Sequence, residues 1–182
     1  MVILTLLTLG AVLLPAAGAA QSSPDLAAEL VRVMNERKLT ALSARDPADE
    51  GRFVAAMLAG PQLLVIRARY SAPALLRERI LKNEHQQVYG DLHSSSDRQG
   101  RVFVIDSGAD GLKLSRDSSD VCWRDADTQA IFNLDWKGQK LKEADYRRRF
   151  EEDEKSYGEM LSTLITATKG AGTTSAASQP VR

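Results

Sequence analysis

An α+β fold, in which helices flank an antiparallel meander sheet and a long C-terminal helix ends the domain, is predicted by two features of the sequence. Three apolar runs, Leu39–Ala44, Arg52–Leu58 and Leu63–Tyr70, are separated by strings dense in turn formers, Asp46–Gly51 and Ala59–Gln62. Apolar residues recur at helical spacing on either side of this region, at Leu26, Leu30, Val33 and Met34 and again from Tyr146 to Thr168. The first twenty residues stand apart from the rest, because Met1 to Ala20 carry no charged side chain.

That leader reads as a secretory signal. Its apolar run from Val2 to Leu14 is followed by Pro15, small residues and then polar Gln21, Ser22 and Ser23. An apolar core ending in an A-x-A-like site is the anatomy of a cleaved signal peptide. Ala17-Gly18-Ala19 and Gly18-Ala19-Ala20 both offer such a site. The apolar run is shorter than the ~20 residues of a spanning helix, so no transmembrane segment is expected after cleavage. The division expected is a signal peptide over 1–20, a single α+β domain over 21–169 and a disordered tail over 170–182, rich in Gly, Ser, Thr and Ala. The expected location is secreted or periplasmic. No cysteine lies near the cleavage site to carry lipid, and no Arg-Arg pair precedes the apolar core, so export is expected to be of the unfolded chain.

Lys plus Arg and Asp plus Glu each number 24, and the leader holds none of them. A neutral chain lacks the basic excess of a nucleic-acid footprint, so no nucleic acid is expected as a partner. A single cysteine, Cys122, has no intramolecular partner for a disulfide. It reads as a buried small apolar residue. The sharper alternative is a reactive thiol, because Arg124 falls on the same side of a strand and would lower its pKa.

The elements follow in order. Ser23 is a capping residue, Pro24 suits the first helical turn and Asp25 complements the helix dipole, so a helix is expected from Ser23 to about Arg37. The three strands come next. The third alternates Ile66, Ala68 and Tyr70 against Arg67 and Arg69. Ser71 and Pro73 open a second helix with a stripe of Leu75, Leu76, Ile80 and Leu81, and a further helical piece carries Val88, Tyr89 and Leu92. Arg101–Asp106 reads as a strand. Shorter strand candidates lie at Leu112–Leu114, Val121–Trp123 and Gln129–Leu134, with Asp125–Thr128 as a turn. From about Glu143 the pattern is helical. Gly158 is a soft spot in that helix, costing ~1 kcal/mol relative to alanine. Arg147, Arg148 and Arg149 stand four residues before Glu151, Glu152 and Asp153 and read as a solvated face.

Few residues carry chemistry. Asp106-Ser107-Gly108-Ala109-Asp110-Gly111, with Asp117 beyond it, partly matches a calcium loop, but position 3 is Gly108 and a strand precedes it, so a turn is the expectation. His85 and His93, with Asp91 and Glu84 nearby, form a weak candidate metal group. Their spacing matches no ligand motif, and no metal site is assigned. There is no G-x-S-x-G, H-E-x-x-H or P-loop. Asp125 and Asp127 read as turn residues and not as a catalytic pair. Arg67 and Arg69, just before a helix start at Ser71, are candidate ligands for phosphate or carboxylate.

The element order over Leu39 to about Ile105 resembles the FMN-binding split β-barrel of pyridoxamine phosphate oxidase-like proteins. The resemblance implies a split-barrel-like sheet, homodimerisation, and cofactor binding by Arg67, Arg69 and Ser71. The further basic residue expected after them is replaced by Ala72, Pro73 and Ala74. The expected function is therefore an exported, non-enzymatic binding or interaction domain with no cofactor. The alternatives are a flavin (FMN)-binding oxidoreductase and a metal-dependent hydrolase at His85, Asp91 and His93.

Overall fold

The computed structural model describes residues 22–70, 72–95, 100–114, 118–124 and 142–171. The leader, Ser71, Asp117, the turn at 125–128, the strand candidate at 129–134 and the end of the tail lie outside the described residues.

Helix α1 (Ser23–Glu36) buries its predicted stripe of Leu26, Leu30, Val33 and Met34. Its N-cap is Ser22, one residue earlier than expected, and Ser22 Oγ donates to Asp25 Oδ2 at 2.7 Å. Ser23 thus falls inside the first turn. Strands β1 (Ala41–Arg45), β2 (Arg52–Ala59) and β3 (Gln62–Arg69) form the meander. Helices α2 (Pro73–Leu81) and α3 (His85–Ser94) follow, then β4 (Val102–Asp106), β5 (Val121–Arg124) and α4 (Glu143–Ala171).

All neighbouring strands are antiparallel, and the sheet order is β1-β2-β3-β4-β5. Among the described residues the sheet is open, with β1 and β5 at its edges. It is a five-stranded meander between helices and does not close as a barrel. Because side chains alternate across a strand, each face has its own core. Leu42, Val54, Ala56, Val65 and Val104 pack against α1 and α4, whereas Phe53, Ala55, Ile66 and Ala68 pack against α2 and α3 through Leu76, Val88 and Leu92. On α4, Tyr146, Tyr157, Met160, Leu161, Leu164 and Ile165 are buried, as their spacing predicts.

Two expectations change. Leu112–Leu114 is not a strand. The Asp120 carboxylate accepts from Ser107 N and Lys113 N, both at 3.0 Å, and a side chain rather than a neighbouring strand organises this connection. The charge run of α4 is not wholly solvated either. Arg147 and Arg148 pair on the surface with Glu143 and Glu152, but Asp153 turns inward and is 1% exposed. No helix among the described residues is long and apolar enough to cross a membrane.

Candidate functional site

Arg67 and Arg69 share the face covered by α1 and α4. Arg67 reaches under α4, where Nη2 donates to Ser156 Oγ at 2.7 Å and Nη1 lies 3.4 Å from Glu159. Arg69 pairs with Asp49 of the β1–β2 turn. Helix α2 packs on the opposite face through Leu76. The two arginines, candidate anion ligands with the following helix start, therefore lie on the face opposite α2, and each has its own carboxylate. Ser71, the third expected ligand, lies outside the described residues.

The histidines are also apart. His85 opens α3, and its Nδ1 lies 2.6 Å from Ser43 Oγ; burial pushes its pKa down. His93 sits two turns further along, with its ring 6.2 Å from Tyr89 and 5.2 Å from Phe103. A rise of 1.5 Å per residue separates the two histidines by about 12 Å along the axis, too far to share an ion about 2 Å from each ligand. Asp91 pairs with Arg79 at 2.6 Å. Among the described residues, no three His, Cys, Asp or Glu side chains are grouped for a metal ion.

The 106–111 string is a turn built on its own first residue. Asp106 is fully buried and accepts from Asp110 N at 3.1 Å, Gly111 N at 2.8 Å and the Tyr157 hydroxyl at 2.9 Å. Burial pushes the Asp106 carboxyl up from the usual range, against the pull of those donors. With the folded pKa above the unfolded one, the folded state holds the proton to higher pH, and stability falls as pH rises through that window. Asp106→Asn is expected to flatten this limb in urea unfolding series run upward in pH from the usual carboxylate range, and to cost about 1–3 kcal/mol near neutrality through the mismatched donor. An unchanged pH profile would refute the assignment.

Cys122 is buried on β5, as expected. Burial, with the nearby Asp153 carboxylate second, pushes its thiol far up, and Arg124 opposes this only in part. The thiol is expected to resist a disulfide reagent such as DTNB in the native protein and to react once urea unfolds the chain. Full reaction before unfolding would contradict its burial.

A groove of about 770 Å³ runs between the first turn of α1, the Asp46–Ala48 turn and α4. Leu26, Val54 and Met160 give it an apolar floor; Arg52, Arg67 and Glu154 are among its charged lining. Buried side-chain atoms without a hydrogen-bond partner include Ser23 Oγ, Arg52 Nε, Arg67 Nε and Glu154 Oε2, and all four residues line this groove. Arg52 Nε makes only a 3.5 Å ion pair with Asp49. Buried polar groups are normally hydrogen-bonded, so four exceptions among these lining residues stand out. The volume is within the range of ligand clefts.

Of the groove residues, only Arg67 was marked by the sequence as a candidate ligand. Ser23 read as a cap, Gly158 as a weak point in a helix, and Arg52 as the first residue of a strand. No local pattern brings them together. They meet because the β2–β3 register places Val54 opposite Arg67 and Arg52 opposite Arg69, and because α1 and α4 cover that face. The chain matches no family model, and comparison with curated proteins and with solved structures gives no match.

Proposed function

We propose that this protein is an exported, non-enzymatic binding domain whose ligand site is the groove between α1, the Asp46–Ala48 turn and α4. The observation that supports it is a groove of about 770 Å³ with an apolar floor of Leu26, Val54 and Met160 and polar side chains, Ser23, Arg52, Arg67 and Glu154 among them, in its lining. Such a lining fixes a ligand's orientation through a few polar groups while the floor supplies contact area. His85 ties α3 to β1, Arg69 holds the β1–β2 turn and Asp106 organises its own turn onto α4.

Native mass spectrometry of the protein purified without chelator from the extracytoplasmic fraction tests this reading. The expected result is a polypeptide carrying neither flavin nor metal ion, with an N-terminus at Ala20 or Gln21. A stoichiometric flavin would favour the oxidoreductase alternative, and a retained metal ion the hydrolase. The same spectrum distinguishes monomer from homodimer. Recovery only from the cytoplasm with Met1 intact would remove the exported part of the proposal.

A further inference from the structure

The first turn of α3 is fastened to strand β1 on the side of the sheet opposite the groove. His85 Nδ1 lies 2.6 Å from Ser43 Oγ, and Gln86 Nε2 donates to Thr40 Oγ1 at 2.7 Å. The second bond is exposed, so water replaces it at little cost. The first is not, because Ser43 is 3% exposed and His85 is half-buried. Ala41 and Ser43 face α3, since Leu42 and Ala44 pack on the other side of β1.

Three features of this contact favour the neutral imidazole. Burial pushes its pKa down, and among the described residues no charged neighbour enters that shift. His85 opens α3, where the positive end of the helix dipole opposes a cation. Ser43 supplies the third. A neutral ring with its proton on Nε2 accepts the Ser43 hydroxyl at Nδ1. A charged ring carries a proton on both nitrogens, so Ser43 must turn from donor to acceptor. Its own proton is then left buried without the acceptor that Nδ1 supplied.

The elements around His85 do not offset this. On α3, Tyr89 is pushed up to about 12 by burial and stays neutral, and Asp91 is held by Arg79 of α2 at 2.6 Å. His93 stands two turns further on. Arg77 of α2 is exposed, Glu78 pairs with Lys82, and the charge of Glu84 acts on Lys82. Arg45 of β1 faces Glu50 at 3.8 Å. The residues that β2 and β3 pack here, Phe53, Ala55, Ile66 and Ala68, are uncharged. The chain enters α3 through Asn83, at φ +60°, which gives the first turn a joint behind it.

We propose that the first turn of α3 is an acid-released clasp: neutral His85 holds it on β1, and protonation frees it to swing outward about Asn83 and bare the strand at Ala41 and Ser43. Among the described residues β1 is an edge of the sheet, and a bared edge is a surface on which another strand can pair. An exposed imidazole has a pKa of about 6.5 and the clasped one a lower value, so the open form binds the proton more tightly. The clasp is at full strength above that range and weakens as pH falls through it. The open-to-closed ratio rises up to about ten-fold per pH unit until the clasped value is reached.

The test is native-state amide hydrogen exchange of the purified full-length protein, read by NMR between about pH 8 and 5 and corrected for intrinsic rates. Val88 N, which donates to Glu84 O at 3.1 Å, and Tyr89 N report the first turn of α3, and Leu30 N in α1 reports the rest of the domain. Protection of Val88 and Tyr89 is expected to fall below about pH 6.5, up to about ten-fold per unit, in step with titration of the His85 ring and with Leu30 unchanged. His85→Asn keeps an acceptor for Ser43 without a titrating group and is expected to abolish this pH dependence, whereas His93→Asn keeps it. Protection that stays flat in acid, that falls together with Leu30, or that still depends on pH in His85→Asn overturns the proposal. If His85→Asn does not fold, Ser43→Ala takes its place. It is expected to lower protection at neutral pH and to move the midpoint of the His85 ring up toward that of an exposed imidazole, and an unchanged midpoint overturns the proposal.

Discussion

Arg124→Met is expected to destabilise the domain by about 3 kcal/mol or more, lowering the unfolding temperature by roughly 6–12 °C for a domain of this size. Asp153 is the reason. Its carboxylate is 1% exposed beneath α4 and accepts from Arg124 Nε at 2.6 Å, with Arg124 Nη2 also at 2.6 Å. Arg149 stands further away, at 3.5 Å. Removing Arg124 leaves a buried negative charge with, among the described residues, only the more distant cation, and a charge stripped of its partner in a low-dielectric site costs far more than an intact pair contributes. The double variant Arg124→Met, Asp153→Leu removes both charges and is expected to recover most of the loss. Chemical denaturation of the two single variants and the double variant measures the coupling. A loss below about 1 kcal/mol in Arg124→Met would show that the pair behaves as a solvated surface ion pair.

Gly111→Ala is the second large effect, again about 3 kcal/mol or more. Gly111 has φ +89°, a region L side chains rarely adopt, and a Cβ there would stand 2.6 Å from Pro24 N and 2.8 Å from Pro24 Cα. Backbone atoms cannot swing aside as a side chain does. The turn would have to retreat from α1 and loosen the Gly111 N–H bond to Asp106. Gly60→Ala is the matched control, since Gly60 also has positive φ, +62°, but no atom within 4 Å. It is expected to cost only about 1 kcal/mol, the dihedral term alone. Equal losses at the two sites in thermal or urea unfolding would refute the steric account.

Much of the fold was legible because local rules and global packing agree along most of this chain. Turn formers at Asp46–Gly51 and Ala59–Gln62 delimit β2 and β3, and the stripes of α1 and α4 face the core that their spacing predicts. The places where the reading failed are those where a partner distant in sequence decides. Asp153 resembles its neighbours Glu151 and Glu152 in the sequence, and the partner that sets it apart, Arg124 of β5, lies 29 residues away. Lys113 looks like part of a strand until the Asp120 carboxylate takes its N–H. The alternation of β3 correctly set Arg67 and Arg69 on one face, but it could not say which helices cover that face. That choice places Arg67 in a groove beneath α4.

The placement of α1 and α4 on one sheet face has a consequence for how the domain is made. A chain delivered from its N-terminus, by a ribosome at about 5–20 residues per second or through a translocation pore, presents α1 and the meander well before α4. Their shared core runs from Leu26 to Ile165, and Tyr157, Met160 and Leu161 at its centre arrive near the end. Until then Val54, Val65 and Val104 have a half-built cover. Contacts of such long sequence separation make folding slow and leave an apolar sheet face open to aggregation in the interval. Chain termination ahead of Tyr157 would therefore yield a sheet without its lid, a species destined for holding chaperones or proteolysis.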